Sequence, residues 1–165
     1  PCRCGNFGLP GQECSRAPKC AEEYRARISG PLLDRIDIQI EVPAVSPWDL
    51  ADVRPGESSD EIRKRVIAAR EIQKKRFAAF GCPSLLTNSQ LKGELLEQAA
   101  ALDNEAKALL LSYADRTAMS ARAYHRTLRL ARTIADLQNE NKLLRIHIAE
   151  ALSLRWKTPD YKSRR

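Results

Sequence analysis

The sequence predicts a mainly α-helical fold, with a cysteine-rich lobe and one strand ahead of a larger helical domain. Three observations support this prediction. Four of the five cysteines lie within the first twenty residues, and the segment from Ile36 to Val42 alternates apolar with polar residues. After residue 57, apolar residues recur at the spacing that is typical of helices.

The composition is that of a folded protein with an excess of positive charge. Hydrophobic residues make up 43% of the 165 residues and charged residues 30%, which excludes a disordered chain and a collagen-like fibre. No apolar run approaches the roughly 20 residues of a membrane helix. The net charge is +7, with 28 Lys and Arg against 21 Asp and Glu. This excess favours polyanionic partners such as nucleic acid or nucleotide phosphates, unless the cations only solvate helix faces.

The cysteines near the start have a spacing that can hold a metal ion. Cys2, Cys4, Cys14 and Cys20 follow the pattern C-x-C-x9-C-x5-C in an irregular segment, residues 1–24, with many glycines and prolines. Four thiolates satisfy a tetrahedral Zn²⁺, and the metal would stabilise a lobe that buries little apolar surface. The alternative is four reduced thiols without a metal.

The cysteine count also bears on where the protein resides. Five cysteines without a secretory signal argue against a disulfide scaffold, so we expect reduced thiols and a cytoplasmic protein. Cys82 stands apart and is expected to be an idle thiol. The first residue is Pro1 and not Met, and we interpret the chain as a piece of a longer protein.

A turn, a strand and a linker are predicted between the cysteine-rich lobe and the helical domain. Pro31 is well placed to begin a short helical turn. The strict alternation over residues 36–42 predicts a half-buried strand that ends at Pro43. The predicted domains are residues 1–50 with the cysteine lobe and this strand, a linker over 51–60, the helical domain over 61–157 and a basic tail over 158–165.

Capping residues mark the helices of the second domain. Ser58 and Glu61 form a capping box, and Gly81 is the predicted end of the helix that they begin. Asp103 and Ser120 are predicted N-cap residues of two further helices. The predicted helices run from the Ser58 cap to Phe80, from Thr87 to Leu102 with an interruption at Gly93, from the Asp103 cap to Ala114, from the Ser120 cap to Leu137 and from Lys142 to Trp156.

The helix after Ser120 carries a row of arginines. Arg122, Arg126 and Arg129 fall at i, i+4 and i+7 and therefore share one helix face. Neighbouring like charges destabilise a helix, whereas guanidinium groups are well suited to binding phosphate. The row is therefore a candidate phosphate site. The alternative is that Asp115, Asp136 and acids from other helices neutralise it.

Arg35 is a second candidate for a phosphate contact. It lies at the junction into the strand between Asp34 and Asp37, where the residues alone favour a local salt bridge. It could instead reach a phosphate bound to a neighbouring subunit, as an arginine finger does. His125 and His147 are isolated and expected to be structural. The sequence contains no GxxxxGK(S/T) phosphate loop, so this chain cannot build a P-loop nucleotide site by itself.

Four stretches together resemble one protein family. They resemble the C-terminal part of ComM/YifB proteins, the magnesium-chelatase-like AAA+ ATPases of bacteria, and occur in the same order. The stretches are PCRCG, YRARISGPLLDRIDIQIEVP, SARAYHRTLRLARTIADL and HIAEALSLR. The resemblance implies that residues 36–42 are the last strand of an α/β AAA+ core. The helices after residue 57 would form the all-helical AAA+ lid. The phosphate loop, the Walker B acids and sensor 1 would lie upstream of Pro1.

The resemblance also implies roles for two arginines. Arg35 matches the arginine of the family's LLDRID motif, the finger that completes a neighbour's ATP site. Arg122 matches the arginine of the SARA motif, which is sensor 2 and contacts the γ-phosphate from the lid. Arg126 and Arg129 are weaker candidates for contacts with ATP phosphates.

The function implied by the resemblance is that of an ATP-driven motor. It would be a homo-hexameric ring that uses ATP and Mg²⁺ and acts on DNA, as a helicase for branch migration in natural transformation and recombination. No membrane partner is expected. The chain lacks the Walker A and Walker B motifs and is expected to be inactive alone.

Two other functions are considered. The first is the ATPase subunit of a magnesium-chelatase-type metal insertase. Such a protein would also be an AAA+ ATPase but would act in inserting a metal into a porphyrin and not on DNA, and a cysteine cluster is not expected in that subunit. A non-enzymatic, zinc-stabilised helical module would bind nucleic acid through the Arg122–Arg129 face without nucleotide, and salt would weaken that binding.

Overall fold

A computed structural model of the chain describes residues 3–6, 14–40, 42, 45, 48 and 56–155. The chain divides into two compact units. The first unit comprises Pro1–Ile36 and Ile40–Arg54, and the second comprises Asp37–Gln39 and Pro55–Arg165. The described residues are mainly helical, which confirms the predicted fold class.

The helices are distributed over both units. In the first unit they are α1 (Lys19–Arg25) and α2 (Gly30–Leu33). In the second unit they are α3 (Ser59–Ala79), a 3₁₀ turn (Asn88–Gln90), α4 (Gly93–Ala99), α5 (Asn104–Thr117), α6 (Ala121–Leu137) and α7 (Arg145–Ser153). Among the described residues, we find no helix that combines the length and the apolar content of a membrane span.

The predicted caps of three helices are confirmed. At α3, the backbone N–H of Glu61 donates to Ser58 Oγ at 3.3 Å, and the Glu61 carboxylate accepts from the Ser58 backbone at 3.0 Å. Asp103 Oδ1 accepts from the backbone of α5, and Ser120 Oγ accepts from the backbone of α6. Each cap satisfies a backbone donor that a helix start leaves without a partner.

Several helix boundaries differ from the prediction. Gly93 does not interrupt a helix: it is the first residue of α4, with φ at +50°, a conformation that glycine adopts easily. The helix α1 was not expected, because residues 1–24 have no apolar periodicity. The last helix is shorter than predicted, with Arg145–Ser153 in place of residues 142–156. Trp156 and the predicted basic tail lie outside the described residues.

The core of the second unit forms around α6. This helix packs against α3, the 3₁₀ turn, α4 and α7, while α5 packs against α7. Ala131 and Ala135 of α6 are fully buried, and such small side chains let neighbouring helices approach closely. The largest apolar residues of this core are Phe77, Leu91, Leu96, Leu110, Leu128, Ile134, Leu143, Ile148 and Leu152.

The predicted half-buried strand is not found. Residues 36–40 and 42 are described, and none of them belongs to a strand. Ile36 is 40% exposed and Val42 is 81% exposed. A single extended segment has no partner with which to form a sheet or bury a face. The segment Asp37–Gln39 is instead held in the second unit, where the Gln39 backbone N–H donates to the Leu154 carbonyl at 2.8 Å.

Candidate functional site

The start of α6 is electropositive. Arg122 is the second residue of this helix, and its side chain is exposed, with no ion-pair partner among the residues that the structure describes. The first turn contains no acidic residue. Ser120 Oγ accepts from the Ala123 backbone at 3.1 Å and fixes the helix start. Because the N-terminal end of a helix dipole is positive, the helix and Arg122 both attract an anion here.

The other two arginines of the row are engaged within the second unit. Arg126 Nε lies 2.5 Å from Asp37 Oδ1, and Arg126 Nη2 donates to Asp37 Oδ2 at 3.2 Å. Arg129 Nε donates to the backbone carbonyl of Leu91 at 2.8 Å. Both arginines are half-buried, so Arg122 is the member of the row that is exposed.

Arg35 follows α2 in the first unit and is exposed. Its backbone N–H donates to the Leu32 carbonyl at 3.0 Å, which closes a turn at the end of α2. No ion pair of Arg35 occurs among the described residues. Of the two acids that flank Arg35 in the sequence, Asp37 pairs with Arg126 within the second unit.

A buried carboxylate organises the charged centre of the second unit. Asp136 on α6 accepts from Arg132 Nε at 3.0 Å and pairs with both terminal nitrogens of Arg76 on α3. Gln73 Nε2 and Asn88 Nδ2 donate to its Oδ2 at 3.2 Å and 2.7 Å. The Asp136 side chain is completely buried, so these four partners replace the water that the carboxylate loses.

Arg132 is the buried cation of this network. It also donates to the backbone carbonyls of Asn141 and Glu140, which fixes the loop after α6. Burial lowers the pKa of Arg132, and the attraction of Asp136 opposes that shift. From the sequence, Asp136 was predicted only as one of the acids that could neutralise the arginine row; it instead binds Arg132 and Arg76. The i, i+4 spacing of Arg132 and Asp136 was the signal for their pairing.

His147 is structural, as expected, and is held in the neutral form. It is fully buried on α7, where Nδ1 accepts from the Leu144 backbone N–H at 3.0 Å. Nε2 lies 3.0 Å from Gln138 Oε1 and therefore carries the ring proton. Burial, and then the charge of Arg132, lower the pKa of His147. These contacts tie the start of α7 to the residue after α6.

Three of the predicted metal ligands converge in the first unit. The Sγ atoms of Cys4, Cys14 and Cys20 all lie within 4.8 Å of one another, and the three residues are not joined by disulfides. Cys4 is exposed, Cys14 is half-buried and Cys20 is buried in α1. A hydrogen bond with the thiol of Cys4 raises the pKa of Cys14 to about 11. Cys2 lies outside the described residues, and Cys82 is half-buried in the second unit.

Family models match both units of the chain. The model for the C-terminal domain of the magnesium chelatase subunit ChlI matches residues 56–155. The model for the magnesium chelatase subunit ChlI matches residues 1–50. The arginine row of α6 and the Asp136 network lie in the first of these matches, while Arg35 and the cysteines lie in the second.

Curated relatives align with most of the chain. The competence protein ComM of Haemophilus influenzae is 36% identical over 140 residues, and the alignment covers 84% of this chain and 26% of ComM. The YifB protein of Escherichia coli is 37% identical over 139 residues, and the alignment covers 84% of this chain and 26% of YifB. YifB of Salmonella typhimurium is 35% identical with the same coverage. The chain spans about a quarter of the length of these relatives.

Proposed function

We propose that this chain, which belongs to the family of the magnesium chelatase subunit ChlI, is the lid-bearing part of an AAA+ ATPase that moves DNA. The observation that carries the proposal is the exposed guanidinium of Arg122 at the capped, acid-free start of α6. A helix start of this kind is suited to a phosphate group. Since the chain contains no phosphate loop, we place that loop in another part of the protein.

Arg122 serves as sensor 2 in this proposal. Negative charge spreads over the oxygens of the γ-phosphoryl group as it is transferred, and a guanidinium placed beforehand stabilises that charge. The arginine must be held by a rigid element to be in place when the charge develops. The Ser120 cap and the buried face of α6 supply that rigidity. We assign Arg122 to the ATP site of its own subunit.

Arg35 serves as the arginine finger in this proposal. Its side chain is exposed and without an ion-pair partner in the described part of the chain, as a residue that contacts a second subunit requires. An arginine finger donated in trans needs neighbouring subunits, so we propose that the protein assembles as a ring, with six subunits as the expected number. Mg²⁺ bound with the ATP would neutralise part of the phosphate charge.

DNA is the proposed client of this motor. The net charge of +7 favours a polyanion. Cations outnumber acids on α3, where Lys64, Lys74 and Lys75 are exposed. One relative is named a competence protein, and we extend to this chain a role in branch migration during transformation, in the cytoplasm. The name of this relative and the excess of positive charge both favour DNA over the metal insertion that the family's name suggests.

ATP hydrolysis by the whole gene product tests the proposal. The complete open reading frame that contains this chain would be expressed, and ATP turnover measured with Mg²⁺, with and without single-stranded and forked DNA. We expect DNA to raise ATP turnover severalfold and the enzyme to displace a labelled strand from the fork. ATP turnover that does not respond to DNA, or that responds instead to a porphyrin with Mg²⁺, would contradict the proposal that the ATPase acts on DNA.

A further inference from the structure

We propose that Cys4, Cys14 and Cys20 bind one zinc ion, which holds the first unit together. The inference is independent of the proposed ATPase activity, because it rests on a cluster of thiols that no phosphate contact uses. The residues come from three separate places: a turn at Cys4, the residue that precedes the next turn at Cys14, and the first helix at Cys20. The structure brings their sulfur atoms to within 4.8 Å of one another.

The spacing of the sulfur atoms is close to that of a zinc–thiolate site. With Zn–S bonds of about 2.3 Å, the sulfurs of a tetrahedral site are about 3.8 Å apart. The three sulfurs therefore need to move by no more than about 1 Å to bind one ion. A disulfide between any two of them would need a separation of about 2 Å, so the cluster is that of separate thiols. Three thiolates leave one position of the tetrahedron for a fourth ligand.

Hydrophobic burial does not account for this convergence. Among the residues of the first unit whose side chains are described, the buried ones are Cys20 and Ala21, with Cys14 packed against them. A core this small stabilises a fold weakly, and small lobes commonly depend on a metal or on disulfides. A zinc ion would supply the missing stability by connecting the segments at Cys4 and Cys14 to α1.

The surroundings of the cluster suit a negatively charged metal–thiolate group. Arg3 and Arg16 line the same cavity as the three cysteines, and Ser15 contributes a polar side chain. A zinc ion with three thiolates carries a net charge of −1, which a cation beside the cavity offsets. Arg16 already pairs with Glu23 at 3.3 Å, so Arg3 is the arginine of the cavity that supplies this charge. The backbone N–H of Ala17 donates to the Cys14 carbonyl at 2.9 Å, and that of Cys20 donates to the Arg16 carbonyl at 2.9 Å. These bonds fix the turn that presents Cys14 next to Cys20.

Binding releases protons and requires no oxidant. Each thiol loses its proton to the solvent as its sulfur bonds to Zn²⁺, and neither the metal nor the sulfur changes oxidation state. Zinc is favoured over magnesium or calcium because those ions prefer oxygen ligands. The metal is expected to be structural, since the cluster offers thiolates and no catalytic acid or base.

Metal analysis of the full chain tests the inference. The chain would be expressed with zinc in the medium, freed of loosely bound metal, and its zinc content measured by mass spectrometry. We expect about one zinc ion per chain. Cys14→Ser and Cys20→Ser should each lower the content at least tenfold, while the matched control Cys82→Ser should keep it. Equal zinc in the wild type and both cluster variants, or none in the wild type, would overturn the proposal.

A measurement on the wild type covers the case in which a variant fails to fold. Zinc would be replaced by Co²⁺, whose tetrahedral thiolate complexes absorb strongly in the visible and carry sulfur-to-metal charge-transfer bands. We expect both features at one cobalt per chain, and we expect zinc to remove them on addition. A weak spectrum typical of octahedral cobalt would contradict a thiolate site.

Discussion

Arg122→Ala is expected to lower the ATP turnover of the whole gene product by about 100-fold or more, the range seen when a transition-state arginine is removed. The loss should appear mainly in kcat, because the guanidinium acts most strongly on the charge that develops during phosphoryl transfer. Arg122→Lys should recover only part of the rate, since an ammonium lacks the planar pair of donors. Steady-state ATP hydrolysis by the wild type, Arg122→Ala and Arg122→Lys gives kcat and KM for each protein.

Arg35→Ala is expected to cause a loss of similar size while leaving ATP binding intact. The side chain belongs to a different unit from Arg122, so the two variants test separate contributions to the site. Arg145→Ala is the matched control, because Arg145 is also exposed and lacks an ion pair among the described residues. Its turnover should stay within about twofold of the wild type. Equal turnover in all three alanine variants would contradict both assignments.

Asp136→Asn is expected to lower the free energy of unfolding of the full chain by about 3–5 kcal/mol. The amide keeps the shape of the carboxylate but removes its charge, which leaves the guanidinium of Arg132 buried without a counter-ion. Asp136 Oδ2 also accepts hydrogen bonds from Arg76, Gln73 and Asn88. An asparagine keeps one acceptor oxygen in place of two and adds an N–H donor that faces these donors, so the contacts that join α3, α6 and the 3₁₀ turn are weakened together. Urea denaturation followed by circular dichroism measures the change.

The control for this variant is Asp115→Asn on α5. Asp115 carries the same side chain, but it is exposed, and no ion pair of it occurs within the described part of the chain. An exposed acid of this kind contributes less than about 0.5 kcal/mol. If both variants unfold at the same urea concentration, the buried network does not support the second unit.

Local chemistry explains which elements were predictable. The starts of α3, α5 and α6 depend on Ser58, Asp103 and Ser120, whose side chains bond to backbone only three residues away. Such contacts depend on only a few consecutive residues, so a sequence pattern can predict them. The arginine row was visible for the same reason, because helical spacing alone places Arg122, Arg126 and Arg129 on one face.

Contacts between distant residues explain what was not predictable. Arg76 reaches Asp136 across 60 positions, and Arg126 reaches Asp37 across 89. No spacing rule connects such pairs, so the roles of Asp37 and Arg76 were missed. The strand over residues 36–42 was predicted from alternation alone, but a strand needs a second strand beside it. The convergence of Cys4, Cys14 and Cys20 could be predicted, because several thiols that lie close together in the sequence can bind a single Zn²⁺ ion.

Mixing the two arginine variants tests whether two subunits complete one ATP site. The Arg35→Ala and Arg122→Ala proteins would be combined in equal amounts, allowed to reassemble, and assayed for ATP turnover. In a randomly mixed ring, about a quarter of the interfaces pair an intact Arg122 with a neighbour's intact Arg35. We expect the mixture to recover about that fraction of wild-type turnover. A mixture no more active than either variant alone would contradict it.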